Sequence, residues 1–202
     1  MANSDRPAGF KPVKHLSGAP WNGKANVYYI KAAYDKAMFI GDAVVLAGSS
    51  DATAMYPSVE QAEAADLNIV GVIIGFGLQP EVMGNPDNPN MKYKAASTEM
   101  YCLVVDDPFV IFEIQEDSVS NSLDADMVGL TTDLTNTSEG AGGTTTGLST
   151  MELDSDDTDT TAGQLRILRA VNRPDNALGA HCKWEVLIVE HAYREARIVT
   201  DI

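Results

Sequence analysis

The stretch that decides the fold is Tyr101-Cys-Leu-Val-Val-Asp-Asp-Pro-Phe-Val-Ile-Phe-Glu-Ile-Gln-Glu-Asp117. It holds two apolar runs, residues 101–105 and 109–114, which are rich in β-branched and aromatic residues and have the length of a strand. Pro108 lies between the runs. Because proline cannot donate to a ladder and holds the preceding residue in an extended conformation, we expect the chain to break there. The stretch therefore predicts a buried hairpin at the centre of an all-β core.

Further runs of strand-forming residues flank this hairpin along the chain. The predicted strands cover residues 26–34, 37–46, 68–78, 91–95, 125–130, 164–171 and 184–190. Asp35 and Lys36 make a short hairpin connection between the first two of them. Residues 59–67 carry a weak apolar stripe that favours a short helix. About eight strands separated by turn residues predict an all-β protein, either a compact antiparallel β-barrel or a jelly-roll-like sandwich.

Two segments are rich in proline and glycine and lack the strand pattern. Residues 1–25 mix these residues with isolated large apolar side chains. That mixture predicts an extended N-terminal arm, which lies either on a neighbouring molecule or on the chain's own body. Residues 79–90 predict a loop. The remainder, residues 26–202, has the length of a single β-rich domain.

A stretch dominated by threonine, serine, glycine and aspartate, residues 131–161, predicts a long surface excursion from this domain. Its best candidates for contact with the core are Leu148, Met151 and Leu153. Its acidic run offers carboxylate oxygens of the kind that calcium prefers, from Asp154, Asp156, Asp157 and Asp159. The glycine and glutamate that an EF-hand requires are absent from this run, so we expect a solvated acidic loop and neither a metal nor another cofactor.

Charge is distributed unevenly along the chain, whose net charge is −15. Residues 1–36 contain six basic and two acidic side chains, residues 37–163 contain two basic and 22 acidic ones, and residues 164–202 contain six basic and five acidic ones. A strongly acidic body repels nucleic acid, which excludes direct binding to it, whereas a basic arm can seek an acidic surface. The alternative is that this asymmetry only keeps the protein in solution.

The residues typical of catalysis are not gathered in the sequence. His15, His181 and His191 are too far apart to form a recognisable ligand motif, and no serine lies in a Gly-x-Ser-x-Gly elbow. We therefore expect a protein that is not an enzyme. Cys102 and Cys182 are expected to be reduced thiols. The sequence shows neither an apolar run of ~18 residues nor a hydrophobic signal region, so we expect synthesis in a cytoplasm and no membrane partner.

Five segments together resemble structural proteins from the heads of tailed bacteriophages. They include Gly9-Phe-Lys-Pro-Val-Lys-His-Leu-Ser-Gly18 and the second half of the central stretch, residues 107–117. The other three are residues 144–153, residues 164–176 and Lys183-Trp-Glu-Val-Leu-Ile-Val-Glu-His191. Within that group, the family that the chain resembles is the capsid cement, or decoration, proteins.

This resemblance implies a β-rich virion protein that binds the outer face of the major capsid protein lattice. Such proteins form small homo-oligomers, here a homodimer or a homotrimer, and hold neighbouring capsomers together against the pressure of packaged DNA. The implied capsid-binding residues lie on the N-terminal arm and are Phe10, Lys11, Val13, Lys14, Leu16 and Trp21, with the two lysines pairing with capsid carboxylates. Two alternatives stay open, a head-fibre or tail adhesin that binds a host-surface glycan and a calcium-stabilised β domain.

Overall fold

The computed structural model describes residues 3–64, 66–77, 91–135, 140–160 and 162–194, and these form an all-β protein. The predicted fold class is confirmed, while the predicted loop at residues 79–90 lies outside the described residues. In chain order the strands are β1 (Lys11–His15), β2 (Asn26–Ile30), β3 (Met38–Phe39), β4 (Ala43–Ser50), β5 (Pro57–Gln61), β6 (Ile69–Gly77), β7 (Tyr93–Lys94), β8 (Met100–Val105), β9 (Val110–Gln115), β10 (Thr131–Thr135), β11 (Glu152–Asp159), β12 (Leu165–Ala170) and β13 (Lys183–Ile188).

The strands form two main units and one small pair. A closed five-stranded barrel has the order β2-β5-β4-β6-β8, and a six-stranded sheet has the order β1-β9-β13-β12-β10-β11. The sheet curls so far that Leu153, in β11, bridges to Glu116 just beyond β9. Among the described strands, β2 and β5 run parallel, and the other pairings within these two units are antiparallel. Strands β3 and β7 pair separately.

Two apolar clusters fill these units, and β6 contributes to both of them. Val70 and Ile73 belong to the cluster formed by all five barrel strands. Ile69 and Val72 belong to a second cluster, which includes Trp184 and most other buried apolar side chains of the six-stranded sheet. Because both faces of β6 are buried, its sequence reads as a continuous apolar run instead of an alternating one. The barrel and the sheet therefore share apolar side chains.

The central stretch forms the two predicted strands, but the predicted hairpin between them is wrong. β8 pairs with β2 and β6, which closes the barrel, while β9 pairs with β1 and β13 in the sheet. A strand has only two edges, and those of β8 are both occupied by barrel strands. Residues 106–109 therefore carry the chain from the barrel to the sheet. Composition predicted the burial of both runs, but it could not predict their pairing.

Three further predictions about local structure are wrong. Residues 26–34 and 37–46 do not form a hairpin, because β2 pairs with β8 and β5 and the second run is split into β3 and β4 at Gly41, whose φ is +97°. The predicted helix at residues 59–67 overlaps strand β5. The predicted strand at residues 125–130 contains a short 3-10 helix, Ala125–Met127, which begins at Asp124.

The predicted extended N-terminal arm is built into the fold, because it docks on the chain's own body. β1 is an edge strand of the six-stranded sheet, and the Phe10 backbone N–H donates to the Gly41 carbonyl oxygen at 2.9 Å. Gly9, with φ of +66°, passes so close to Gly41 that a Cβ on it would collide with that carbonyl. The Phe10 side chain is only 2% exposed. The isolated apolar residues of this segment dock on the chain's own body, the second of the two predicted outcomes.

The stretch from residue 131 to residue 161 begins and ends in strands, so the predicted surface excursion is confined to the connection between them, of which residues 140–151 are described. Its two ends are β10 and β11, which pair antiparallel with each other. Met151 and Leu153 are buried in the shared core as predicted, whereas Leu148 is exposed. Threonine and aspartate have low hydrophobicity, so this strand pair gave no apolar pattern in the sequence.

Cys102 and Cys182 are both buried and free, in agreement with the expected reduced thiols.

Candidate interaction surface

The outward face of the six-stranded sheet carries a row of charged side chains across four strands. The register places Lys11 of β1 opposite Glu113 of β9, Glu113 opposite Glu185 of β13, and Glu185 opposite Arg169 of β12. Side chains alternate between the two faces of a strand, so these four lie on the opposite side of the sheet from the buried Trp184 and its neighbours. The inner face of the sheet is therefore apolar, whereas the outer face carries these charges next to the buried Ile111 and Leu187.

Ion pairs hold the two carboxylates of this row. Glu185 accepts from Lys14 Nζ at 2.9 Å and from Arg169 Nε at 2.7 Å, and both oxygens of Glu113 accept from Arg173 Nη1 at 3.0 Å. The side chains of Glu113 and Glu185 are only 13% and 12% exposed. Carboxylates that are buried to this extent need their cations close by, because an unpaired buried charge is costly. Arg173 Nε also lies 3.4 Å from Asp175 Oδ1, so these three cations pair with three carboxylates.

Among the cations that line clefts on this side, three form no ion pair within the described ranges, namely Arg6, Lys11 and Lys183. With Arg173 they line two adjoining clefts of about 340 and 190 Å³, Lys11 contributing to the smaller one. We call the whole set the basic face, and its members are Arg6, Lys11, Lys14, Arg169, Arg173 and Lys183. It holds six of the 14 basic residues of a chain whose net charge is −15. This face attracts an acidic partner, whereas the rest of the molecule repels one.

An exposed apolar pair lies beyond the end of β1. Leu16 is 48% exposed and Phe109 is 49% exposed, and the Leu16 N–H donates to the Phe109 carbonyl oxygen at 2.7 Å. They line an open cleft of about 500 Å³ together with His15, whose Nδ1 lies 3.2 Å from Asp107 Oδ2. We call Leu16 and Phe109 the apolar tip. The tip adds apolar contact area next to the charged face of the same sheet.

Of the six predicted capsid-binding residues, three are exposed in the structure, and the other three are buried, half-buried or held in an ion pair. Phe10 is wrong as a binding residue, because its ring is buried and packs edge-on against Phe112 at 6.1 Å. Trp21 is half-buried against the same core. Lys14 is held by Glu185. The three exposed members are Lys11, Val13 and Leu16.

Sequence reasoning missed four members of the basic face, Arg6, Arg169, Arg173 and Lys183. The available signal was the excess of basic residues at both ends of the chain. That signal says nothing about location, because β1 and β12 are neighbours of β9 and β13 only after the sheet has formed. Pairing between strands from opposite ends of the chain brings the two basic segments to one face.

The four aspartates of the acidic run, which the sequence offered as a weak calcium site, do not lie close enough together to form that site. Asp154, Asp156, Asp157 and Asp159 lie along β11, and a bulge between its pairings with Thr132 and Leu134 separates them further. An extended strand sends successive side chains to opposite faces. Within the described ranges, these four carboxylates form no group of three close ligand atoms. The Asp156 carboxylate instead accepts from the backbone and side chain of Asn121, and hydrogen bonds, first that from Ser120, lower its pKa.

Two buried titratable groups, Lys94 and Asp42, stabilise turns of the chain through hydrogen bonds to backbone atoms. Lys94 Nζ donates to the carbonyl oxygens of Tyr34 and Lys36 at 2.7 and 2.8 Å, and burial lowers its pKa to about 8. Asp42 accepts from the Phe39 N–H at 2.7 Å, and burial raises its pKa to about 7. Each group bonds to backbone atoms of a neighbouring turn, which is what a structural role requires.

No protein-family model, no curated protein and no solved structure matches this chain. In the described part of the structure, no helix has the length and the hydrophobicity needed to cross a membrane.

Proposed function

We propose that this protein is a capsid cement, or decoration, protein of a tailed bacteriophage, which binds the outer face of the major capsid protein lattice through its basic face. The observation that carries the proposal is the collection of six basic residues from both ends of a strongly acidic chain on one face of a sheet. A face with an excess of cations on a body of the opposite sign orients a protein towards a partner. The partner that fits is a protein surface rich in aspartate and glutamate.

The segments that resemble capsid cement proteins support the same face. Four of the five segments, residues 9–18, 107–117, 164–176 and 183–191, contain β1, β9, β12 and β13. These are four adjacent strands of the six-stranded sheet. The fifth segment, residues 144–153, leads into β11 of the same sheet. The resemblance is therefore concentrated on the sheet whose outer side is basic.

The charges of the basic face divide into two roles. Lys14, Arg169 and Arg173 are engaged with carboxylates of the chain itself, so they shape the face. Arg6, Lys11 and Lys183 are the cations left to pair with carboxylates of the capsid. The apolar tip contributes contact area beside them. Leu16 and Phe109 replace the buried Phe10 as the aromatic and aliphatic contacts of this segment.

The proposed activity is stabilisation of the assembled shell by mass action. A protein that contacts neighbouring capsomers binds the assembled lattice and not the separate subunits. Its binding free energy therefore adds to the stability of the lattice. The acidic remainder of the molecule faces solvent in this arrangement and repels nucleic acid. Self-association into a homodimer or homotrimer would multiply the contacts of each cement unit.

Co-sedimentation of the purified protein with undecorated, expanded capsids of its own phage tests the proposal. We expect saturable binding at regular lattice positions in electron micrographs, together with a rise in the temperature at which the capsids rupture. Unexpanded precursor capsids, which present a different lattice, serve as the comparison. Protein that stays in the supernatant with both would contradict the proposal, and binding of the isolated protein to host cells would then favour a glycan-binding adhesin.

A further inference from the structure

One group of three potential metal ligands lies within the described ranges, and its members come from three separate parts of the chain. Asp5 belongs to the N-terminal segment, Glu152 begins β11, and His181 lies in the connection between β12 and β13. One ligand atom from each lies within 4.8 Å of the other two, and Asp5 Oδ1 is 3.9 Å from His181 Nδ1. Ligand atoms of one tetrahedral zinc ion are about 3–4 Å apart, so small side-chain movements bring these three into range.

The N-terminal segment is fixed beside His181 by hydrogen bonds. Asn3 Nδ2 donates to the carbonyl oxygens of Ala177 and Ala180 at 2.7 and 2.9 Å, and its Oδ1 accepts from the Ala177 N–H at 3.0 Å. These bonds hold Asp5, two residues later, next to the connection that carries His181. The carboxylate is therefore placed by the fold and does not hang on a free end.

A buried glutamine orients both carboxylates. Gln115 Nε2 donates to Asp5 Oδ1 at 3.1 Å and to Glu152 Oε1 at 2.8 Å, and its Oε1 accepts from the Arg6 N–H at 3.1 Å. Each carboxylate keeps a second oxygen that this amide does not use. Hydrogen bonds to ligating side chains fix their orientation and strengthen metal sites.

The imidazole of His181 turns Nδ1 towards Asp5 without a hydrogen bond between them. His181 Nδ1 is buried and makes no hydrogen bond, while the backbone N–H of His181 donates to Ser118 Oγ at 2.8 Å. A buried polar atom without a partner is unusual and calls for an explanation such as an ion.

We propose that Asp5, Glu152 and His181 bind a divalent transition-metal ion, with solvent completing its coordination. One imidazole nitrogen and two carboxylates suit zinc or its first-row neighbours, whereas calcium and magnesium prefer oxygen alone. The cleft of about 340 Å³ that His181 lines with Asn3 and Ser4 gives an entry path from solvent. The bound ion ties the N-terminal segment to β11 and to the β12–β13 connection. This proposal does not depend on what the basic face binds.

Zinc binding by the untagged, full-length protein tests the proposal. After removal of metals with a chelator, calorimetric titration with zinc chloride should show one saturable site per chain. Thermal unfolding should show a Tm higher by roughly 5–10 °C when free zinc is about a hundredfold above Kd. Cobalt(II) should bind at the same stoichiometry and develop visible absorption bands.

Two variants and one control connect the binding to these residues. Glu152→Gln keeps an acceptor for Gln115, and His181→Asn suits the left-handed backbone at this position, where φ is +56°. Each should weaken zinc binding by at least about tenfold. His15→Gln, which removes a histidine beside a carboxylate elsewhere, should bind as the wild type does. No saturable binding, or binding that both site variants retain at full strength, would overturn the proposal.

Discussion

At the scale of single residues, the burial of Phe10 shows that the N-terminal segment is part of the folded core. Its ring lies in the core shared by the barrel and the sheet and contacts Phe112 edge-on. We predict that Phe10→Ala lowers the free energy of unfolding by about 3–5 kcal/mol, the usual effect of removing a buried phenylalanine ring. Urea unfolding measures this change. Leu16→Ala, at an exposed position of the same segment, should change it by less than about 0.5 kcal/mol.

Equal stability of the Phe10→Ala variant and the wild type would contradict the docking of this segment. It would instead support the other predicted outcome, an arm that lies on a neighbouring molecule.

Asp42 makes stability depend on pH in a direction opposite to that of a paired carboxylate. Burial raises its pKa from 3.8 to about 7, so between these values the folded protein binds a proton that the unfolded chain does not. Stability should therefore rise as the pH falls from about 7 towards 4, by at most about 1.4 kcal/mol per pH unit, and should not change through this group above pH 7.

The comparison with Asp42→Asn isolates this effect. His191 opposes it, because burial lowers its pKa from 6.5 to about 4 and the folded state then loses stability as the pH falls through that range. The His191 contribution is common to both proteins and cancels in the difference between their free energies of unfolding. We expect this difference to change with pH between 4 and 7 in favour of the wild type at low pH. A difference that is constant over this range would refute the assignment.

At the scale of elements, the proposed role of the basic face predicts that the charged row across β1, β9, β13 and β12 affects both stability and capsid binding. Glu185→Gln removes the partner of Lys14 and Arg169. We predict a loss of about 1 kcal/mol in the free energy of unfolding, because the side chains of Lys14 and Arg169 are 29% and 59% exposed and solvent screens these pairs. Binding to capsids should become tighter, because two cations are released from a carboxylate of the chain itself.

The matched control is Glu60→Gln, which makes the same charge change on β5 of the barrel. It should leave capsid binding as it is. Weaker capsid binding by Glu185→Gln would contradict the proposed role of the face. Unfolding and co-sedimentation measured on the same two variants separate stability from binding.

The sequence was informative about which residues form strands and much less about how the strands pair. Strands with buried β-branched residues, such as β8, β9 and β13, were predicted close to their bounds. β11 was missed because its threonine and aspartate side chains give no apolar alternation, and β5 was mistaken for a helix because it is short. Pairing depends on which edges are free in the whole sheet, so the connection between β8 and β9 was read as a hairpin although it joins two sheets.

At the scale of the whole molecule, charge and topology together make the candidate surface. The sequence showed basic residues at both ends and an acidic middle. It could not show that β1 and β12 lie on either side of β9 and β13, which brings Lys11 and Arg169 into one row. Nor could it show that Asp5, Glu152 and His181 meet, because each comes from a different part of the chain. Surfaces and sites built from distant segments become visible only once the fold is known.

The affinity of charge-neutralised variants for expanded capsids tests the central claim most directly. Lys11→Gln combined with Lys183→Gln removes two cations that form no ion pair within the described ranges, so the fold should be unaffected. The control combines Lys24→Gln with Lys31→Gln, an equal change of charge outside the basic face. We predict that the first variant binds about tenfold more weakly and that the control binds as the wild type does, since each exposed ion pair contributes up to about 1 kcal/mol. Equal binding by the two variants would contradict the assignment of the basic face.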